Sequence, residues 1–291
     1  MTQSVGEKWF AVCNYFILAV LAAACIYPFL YVLSASISSA DAVKTGKVLL
    51  FPLGVNFESY ERVLSERGIW IGYANTIYYT FFGTLVSMAL SIAGAYPLSK
   101  KRLRGRRFLG LFIVFTMMFN AGMIPFYLNL REMGLLNSRM GIILPFAIST
   151  FLVIIMRTFF QSIPEELEEA SKMDGGSDWQ ILWNVYLPLS KPALATVGLF
   201  YAISRWNGYF WSMILLTDES KIPLQVLLNK LIVEMKISEE MLQTTGVQTV
   251  SVSQETVIYA TIVVAILPMV VLYPFIQKYF AQGMMIGSLK E

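Results

Sequence analysis

Apolar residues in this chain come in long unbroken runs, not in the rhythm of a helix with one wet face. No charge occurs from Trp9 to Ala40, and none from Ile69 to Ser99. A helix that crosses the hydrocarbon of a bilayer needs about 20 mostly apolar residues. By that measure the pattern predicts six spanning helices, at about 9–34, 73–98, 108–130, 140–160, 192–216 and 256–278. Arg205 interrupts the fifth. No internal repeat or low-complexity segment stands out. The expected architecture is all-α: a single polytopic membrane domain over residues 1–291, with six transmembrane helices.

Composition supports lipid as the solvent. Hydrophobic residues make up 56% of the chain and charged residues only 14%, with a mean hydropathy of +0.61. Soluble domains carry about 25% charged residues. A net charge of +3 is too small for nucleic-acid binding, which needs a dense basic surface. Histidine, the commonest general base and metal ligand, is absent. Cys13 and Cys25 fall in one helical run, about 18 Å apart along the axis, well beyond disulfide reach. Ala22-Ala23-Ala24-Cys25 has the look of a lipoprotein cleavage box. The apolar run continues past it to Leu33, so the segment is expected to stay as an uncleaved first helix.

Basic residues set the expected orientation. The loop after the second span carries Lys100, Lys101, Arg102, Arg104, Arg106 and Arg107 with no acid, which assigns it to the cytoplasm. Both termini then lie in the cytoplasm, and the loops at 41–68, 131–139 and 218–255 lie outside.

The most informative stretch runs from Gln161 to Pro192. Ser162 with Glu165 has the spacing of a capping box, and Pro164 suits a first turn. Glu165, Glu166, Glu168 and Glu169 crowd the N-terminal half, where the helix dipole favours negative charge. Leu167, Ala170 and Ser171 form a narrow stripe of apolar and small residues. Gly175-Gly176 should end the helix, giving about 163–175. Ser177 should cap a second short helix carrying Trp179 and Ile181, and Pro188 and Pro192 should break the chain afterwards. A membrane-surface helix normally shows Lys and Arg on its polar face. This one is acidic, which fits docking into a groove on a basic partner.

Glu169-Ala170-Ser171, Asp174-Gly175 and Val185-Tyr186-Leu187-Pro188 resemble the cytoplasmic EAA motif of ATP-binding-cassette importer permeases. That motif reads Glu-Ala-Ala, three residues, Gly, nine residues, then Ile-x-Leu-Pro. Ser171 replaces the second alanine and Val185 the isoleucine. Asn75-Thr76, Ala95-Tyr96-Pro97-Leu98-Ser99, Trp206-Asn207-Gly208-Tyr209-Phe210 and Pro223-Leu224-Gln225 are similar to the carbohydrate-importing members. Gly287-Ser288-Leu289-Lys290 is similar to the tail of maltose-type permeases. The resemblance implies that 163–175 is a coupling helix seated in an ATPase subunit. Glu165, Glu166, Leu167, Glu169, Ala170, Ser171, Asp174, Gly175, Leu187 and Pro188 would form that junction. It further implies a second permease subunit, usually a different chain, two ATPase subunits, an extracytoplasmic binding protein, and a location in the bacterial cytoplasmic (inner) membrane. ATP and Mg belong to the ATPase partner, and this chain itself is expected to hold no cofactor. It has no Gly-x-x-x-x-Gly-Lys-Ser/Thr phosphate loop of its own.

A charge within a span is expensive and is expected to face water or a partner. Gly198, Tyr201, Arg205, Gly208, Tyr209 and Ser212 share one stripe of the fifth helix. With Asn207, and with Asn120 from the third, Tyr201, Arg205 and Tyr209 are the candidate lining of a substrate path. Tyrosines stack on sugar rings and also form hydrogen bonds. Arg205 could grip a uronate carboxylate. The bland alternatives give Arg205 a carbonyl or acid of another subunit, or a helix end, and give Asn120 an interhelical hydrogen bond. An ion-coupled secondary transporter or channel is the competing reading, but the spans carry no central Asp or Glu to couple ions. A membrane enzyme would need a catalytic cluster that the sequence does not show.

Overall fold

The structure, a computed structural model, describes residues 5–119, 121–245 and 254–288. Its regular elements are all helical among these residues. In chain order they begin with α1 (Val5–Ser36), α2 (Ala40–Lys44), α3 (Glu58–Ser65) and α4 (Arg67–Ser99). Then come α5 (Arg106–Met118), α6 (Met123–Glu132), α7 (Arg139–Ile143), α8 (Thr150–Gln161), α9 (Glu165–Met173) and α10 (Asp178–Ile181). A π turn, Leu182–Tyr186, leads into α11 (Leu187–Leu189) and α12 (Lys191–Trp206). The rest is α13 (Phe210–Leu215), a 3₁₀ turn at Glu219–Lys221, α14 (Leu224–Thr245) and α15 (Gln254–Ser288).

The chain forms two compact units: the residues up to Ile69 with Leu228–Met269, and Trp70–Leu227 with the residues from Val270 on. In the first, the most apolar window of α1 has no protein cover at all, as expected of a helix solvated by lipid. Cys13 and Cys25 lie along it as exposed free thiols. The segment predicted as an external loop at 41–68 is folded. Ser34 donates to the Leu50 carbonyl at 2.6 Å, and the Leu53 N–H donates to Ser38 Oγ at 3.1 Å. Ala35, Val43 and Val48 pack beneath it with Tyr31 and Tyr259.

In the second unit, one apolar cluster joins Ala95 of α4, Met156 and Phe160 of α8, Ile181, Tyr186 and Val197. A second joins Tyr79, Leu130, Ile143, Leu215, Ile222 and Val226.

The predicted spans differ in continuity. Gly6–Ser36 and Arg67–Ser99 are each long and apolar enough to cross a bilayer alone. The third, predicted at 108–130, is a pair, α5 and α6, bent by 110°. Gly122, at the turn, has φ 86°, a region open to glycine. The span predicted at 140–160 is two helices, α7 and α8, because Pro145 stands between them and cannot extend α7. The span predicted at 192–216 breaks after Trp206 and resumes at Phe210. Broken helices at membrane depth are tolerated where their free backbone groups are buried in protein or line a cavity.

Candidate functional site

The acidic segment forms α9 over Glu165–Met173, shorter than the predicted 163–175. Its N-cap is Pro164, with no side-chain cap. Ser162 does not form the expected capping box, because its hydroxyl turns back to the Phe159 carbonyl at 2.7 Å and closes α8. The capping box lies one helix later. Ser177 Oγ accepts the Gln180 N–H at 3.4 Å, and the Ser177 N–H donates to Gln180 Oε1 at 2.8 Å. Gly175 does end α9, with φ 81°. Asp174 is its C-cap, and the Ser171 carbonyl accepts the Gly176 N–H at 2.9 Å. Pro188 does not break the chain: it sits in α11, directly after the π turn, and the break falls at Ser190.

Glu166, Leu167, Glu169 and Ala170 are exposed, as is Pro188, while Leu187 is half-buried. Glu165 is exposed beside Lys101, 2.9 Å away. Glu168 is different. It is only 7% exposed, and donors converge on its carboxylate. Lys100 Nζ stands 2.6 Å from Oε2, Lys172 Nζ 2.5 Å from Oε1, and the Tyr186 hydroxyl donates to Oε2 at 2.9 Å. The Lys100 ammonium also lies 3.6 Å from the Tyr186 ring centroid and 4.1 Å from that of Tyr96. Burial by itself would raise the Glu168 carboxyl. The hydrogen bonds from Lys100, Lys172 and Tyr186 outweigh it and hold the group at about 2. Burial and that carboxylate push the Tyr186 phenol up, so it remains a donor. Alongside, Arg102 pairs with Asp178, and the Tyr96 hydroxyl donates to the Asp178 carbonyl at 3.0 Å.

Sequence reading missed Glu168, Lys100, Tyr186 and Tyr96 as members of this junction. The basic run at 100–107 marked a side of the membrane and nothing more.

The substrate-path candidates gather at a cleft of ≈ 510 Å³ in the second unit. Asn207 and Tyr209 lie at the break between α12 and α13, and Tyr209 is 42% exposed. Arg205 lines the same cleft, but its guanidinium is engaged within the chain. Nη1 donates to the Ile142 carbonyl at 2.7 Å. Nη2 donates to the carbonyls of Phe146 at 2.6 Å and Ile143 at 3.2 Å, and to Ser87 Oγ at 3.3 Å. These carbonyls belong to the last turn of α7 and the Pro145 break, where no helical N–H can reach them. Arg205 thus replaces the hydrogen bonds that the break between α7 and α8 gives up. Tyr201 is 4% exposed. Its hydroxyl shares a 2.7 Å bond with Ser91 and accepts the Ser149 N–H at 3.0 Å. Asn120 lies outside the described residues.

Two further motifs meet in space. Thr76 Oγ1 accepts the Leu224 N–H at 2.9 Å. Asn75 Nδ2 donates to the carbonyls of Ser220 at 2.8 Å and Ile222 at 3.1 Å. Gly72 lets this approach happen, since a Cβ there would stand 3.1 Å from the Leu224 Cα.

A cleft built at helix breaks, in a chain whose long apolar helices suit a bilayer, is the architecture of a membrane transport component. Comparison with known proteins agrees. Residues 68–286 match the family described as binding-protein-dependent transport system inner membrane component. The chain is 38% identical over 292 residues to protein LplC of Bacillus subtilis (strain 168), covering 100% of this chain and 98% of that one. It is 40% identical over 284 residues to the polygalacturonan/rhamnogalacturonan transport system permease protein YtcP of the same strain, covering 98% and 99%. A crystal structure of a bacterial ABC transporter involved in the import of the acidic polysaccharide alginate contains a chain that is 50% identical. It superposes with a TM-score of 0.88 over 96% of this chain and 99% of that one. A chain from the bacterial alginate ABC transporter in complex with alginate pentasaccharide-bound periplasmic protein is 13% identical with a TM-score of 0.57, and shares the fold alone. This chain belongs to the family of inner membrane components of binding-protein-dependent transport systems. It is a permease subunit of an ABC importer, and the family is one of transporters, not of enzymes.

Proposed function

We propose that this chain forms one half of the translocation path for an acidic oligosaccharide, delivered by a binding protein and moved at the expense of ATP hydrolysed by a partner. In this reading six spans cross the membrane, three of them broken, and both termini face the cytoplasm. The α9 helix seats in an ATPase subunit, and the path is completed by a second, different permease chain. ATP and Mg reside on the ATPase.

The observation that carries the reading is the division of α9 into two faces. One face is anchored through the buried Glu168. The other leaves Leu167, Ala170 and Glu169 exposed, with Leu167 44% exposed. An apolar side chain held outward on a short, pinned helix suits insertion into a partner's groove. Acidity of the substrate is supported by the two relatives that handle acidic polymers, polygalacturonan and alginate. It is also supported by Arg205. Every described partner of its guanidinium is a carbonyl or a hydroxyl, so none cancels its charge. The cleft therefore keeps a positive field that favours an anionic solute over a neutral one without direct grip. Tyr209 and Asn207, exposed at the break, are the contacting groups.

ATP hydrolysis by the assembled complex in vesicles, with binding protein present, tests this. Stimulation by oligogalacturonate or oligoalginate and not by neutral maltooligosaccharides is the expected result. Equal stimulation by neutral sugars removes the acidic substrate. A cysteine at Ala170 should cross-link to the ATPase; an active complex that yields no cross-link rules out the docking role of α9.

A further inference from the structure

We propose that Glu168 is a positioning residue that makes the docking helix α9 and the path-lining helix α4 move as one body, with Lys100 as the joint. This rests on the reading of α9 as the helix that receives the ATPase.

Of the four glutamates in α9, only Glu168 is buried; besides Lys172 within the helix, it bonds Lys100 and Tyr186 from other elements. Lys100 is the first residue beyond the end of α4 and is itself only 7% exposed. Tyr186 is the last residue of the π turn that leads through α11 to α12. One carboxylate therefore ties three segments together. Buried, charge-assisted hydrogen bonds of this kind hold geometry far more firmly than the exposed Lys101–Glu165 pair one turn away. The Tyr96 and Tyr186 rings meet edge to face at 5.1 Å and enclose the ammonium, which keeps water from competing for it.

From this joint α4 runs directly to the cleft. Ser91 meets Tyr201, and Ser87 meets Arg205, thirteen residues or about 20 Å along the helix from Lys100. A displacement of α9 is thus delivered, through a helix that does not compress, to the two side chains that shape the cleft wall. Without Glu168, α9 could still dock, but its movement would be absorbed by the 100–105 loop.

The test is the number of oligosaccharides moved per ATP hydrolysed, in vesicles holding the full complex and binding protein, with oligogalacturonate as the probe. Glu168→Gln should lower that ratio about fivefold or more. A role confined to stability lowers transport and hydrolysis together and leaves the ratio at the wild-type value, and that outcome overturns the proposal. A second variant guards against failed assembly: Lys100→Cys with Glu168→Cys, in a background with Cys13 and Cys25 changed to Ser. Bridging its thiols with a short bis-thiosulfonate should restore the ratio, and reduction should lower it again. Bridging that changes nothing, or that stops transport, overturns the proposal. Failure of the underlying reading looks different, because the wild-type complex would then show no stimulation by the probe.

Discussion

Arg205 of α12 donates to the main-chain carbonyl of Phe146 at 2.6 Å, and so ties the end of α12 to the break between α7 and α8. Its charge and its hydrogen bonds can be separated. Arg205→Lys keeps the charge but cannot span the carbonyls of Ile142, Ile143 and Phe146. It should cost about 2–3 kcal/mol of stability while preserving the preference for acidic over neutral oligosaccharides. Arg205→Gln should lose both. Uptake of each sugar class by stable fractions of the two variants checks this; equal preference in Arg205→Gln and wild type would remove the field argument.

Tyr201 and Tyr209 look alike on a helical wheel but sit differently. Tyr201→Phe leaves the Ser149 N–H without its partner and should cost about 1–3 kcal/mol, read as a lower Tm, with little change in substrate affinity. Tyr209→Ala should weaken oligosaccharide-stimulated ATP hydrolysis and leave Tm near wild type, because Tyr209 is 42% exposed in the cleft.

Gly141 permits a tight turn of α7. A Cβ there would lie 2.1 Å from the Leu135 carbonyl oxygen, a backbone atom that cannot step aside. Gly141→Ala should cost about 3 kcal/mol and lower the yield of folded protein. Gly105→Ala meets nothing within 4 Å, but at φ 78° it should cost only about 1 kcal/mol, through backbone strain.

The Glu168 junction sets a pH dependence. Its carboxyl falls from an ordinary 4.5 to about 2 in the folded protein. The stabilisation from this group is therefore complete above the unfolded value and is lost as pH falls from about 4.5 towards 2. The Tm difference between wild type and Glu168→Gln should be flat from neutral pH to about 5 and shrink below it. A difference that already fades near neutrality would contradict the assignment.

Thr76→Val keeps the shape of the side chain and removes the acceptor for the buried Leu224 N–H. A loss of about 1–3 kcal/mol in thermal stability is expected, without a change in substrate preference.

Much of this protein was legible along the chain because the governing physics is local. Apolar runs located α1 and α4 to within a few residues at most ends, since burial in lipid requires only consecutive apolar side chains. The Gly175 stop and the Ser177 cap were readable for the same reason: caps are satisfied by residues three or four positions away. The motif spacing around Glu169 and Gly175 pointed to the correct family.

Other features depend on partners remote in sequence, and only the tertiary structure decided them. Glu165, Glu166, Glu168 and Glu169 are one run of acids on paper. Which of them faces inward follows from the 100° turn per residue and from where Lys100, sixty-eight positions away, arrives. Ser162 fitted a capping box, but the Phe159 carbonyl was the nearer partner. Hydropathy marks 140–160 and 192–216 as one apolar stretch each, because it counts apolar side chains and is blind to whether a break can be satisfied. Arg205 satisfies the carbonyls around the Pro145 break through hydrogen bonds reaching back 59 to 63 residues, so what read as a costly charge in a span is the group that lets α7 and α8 separate.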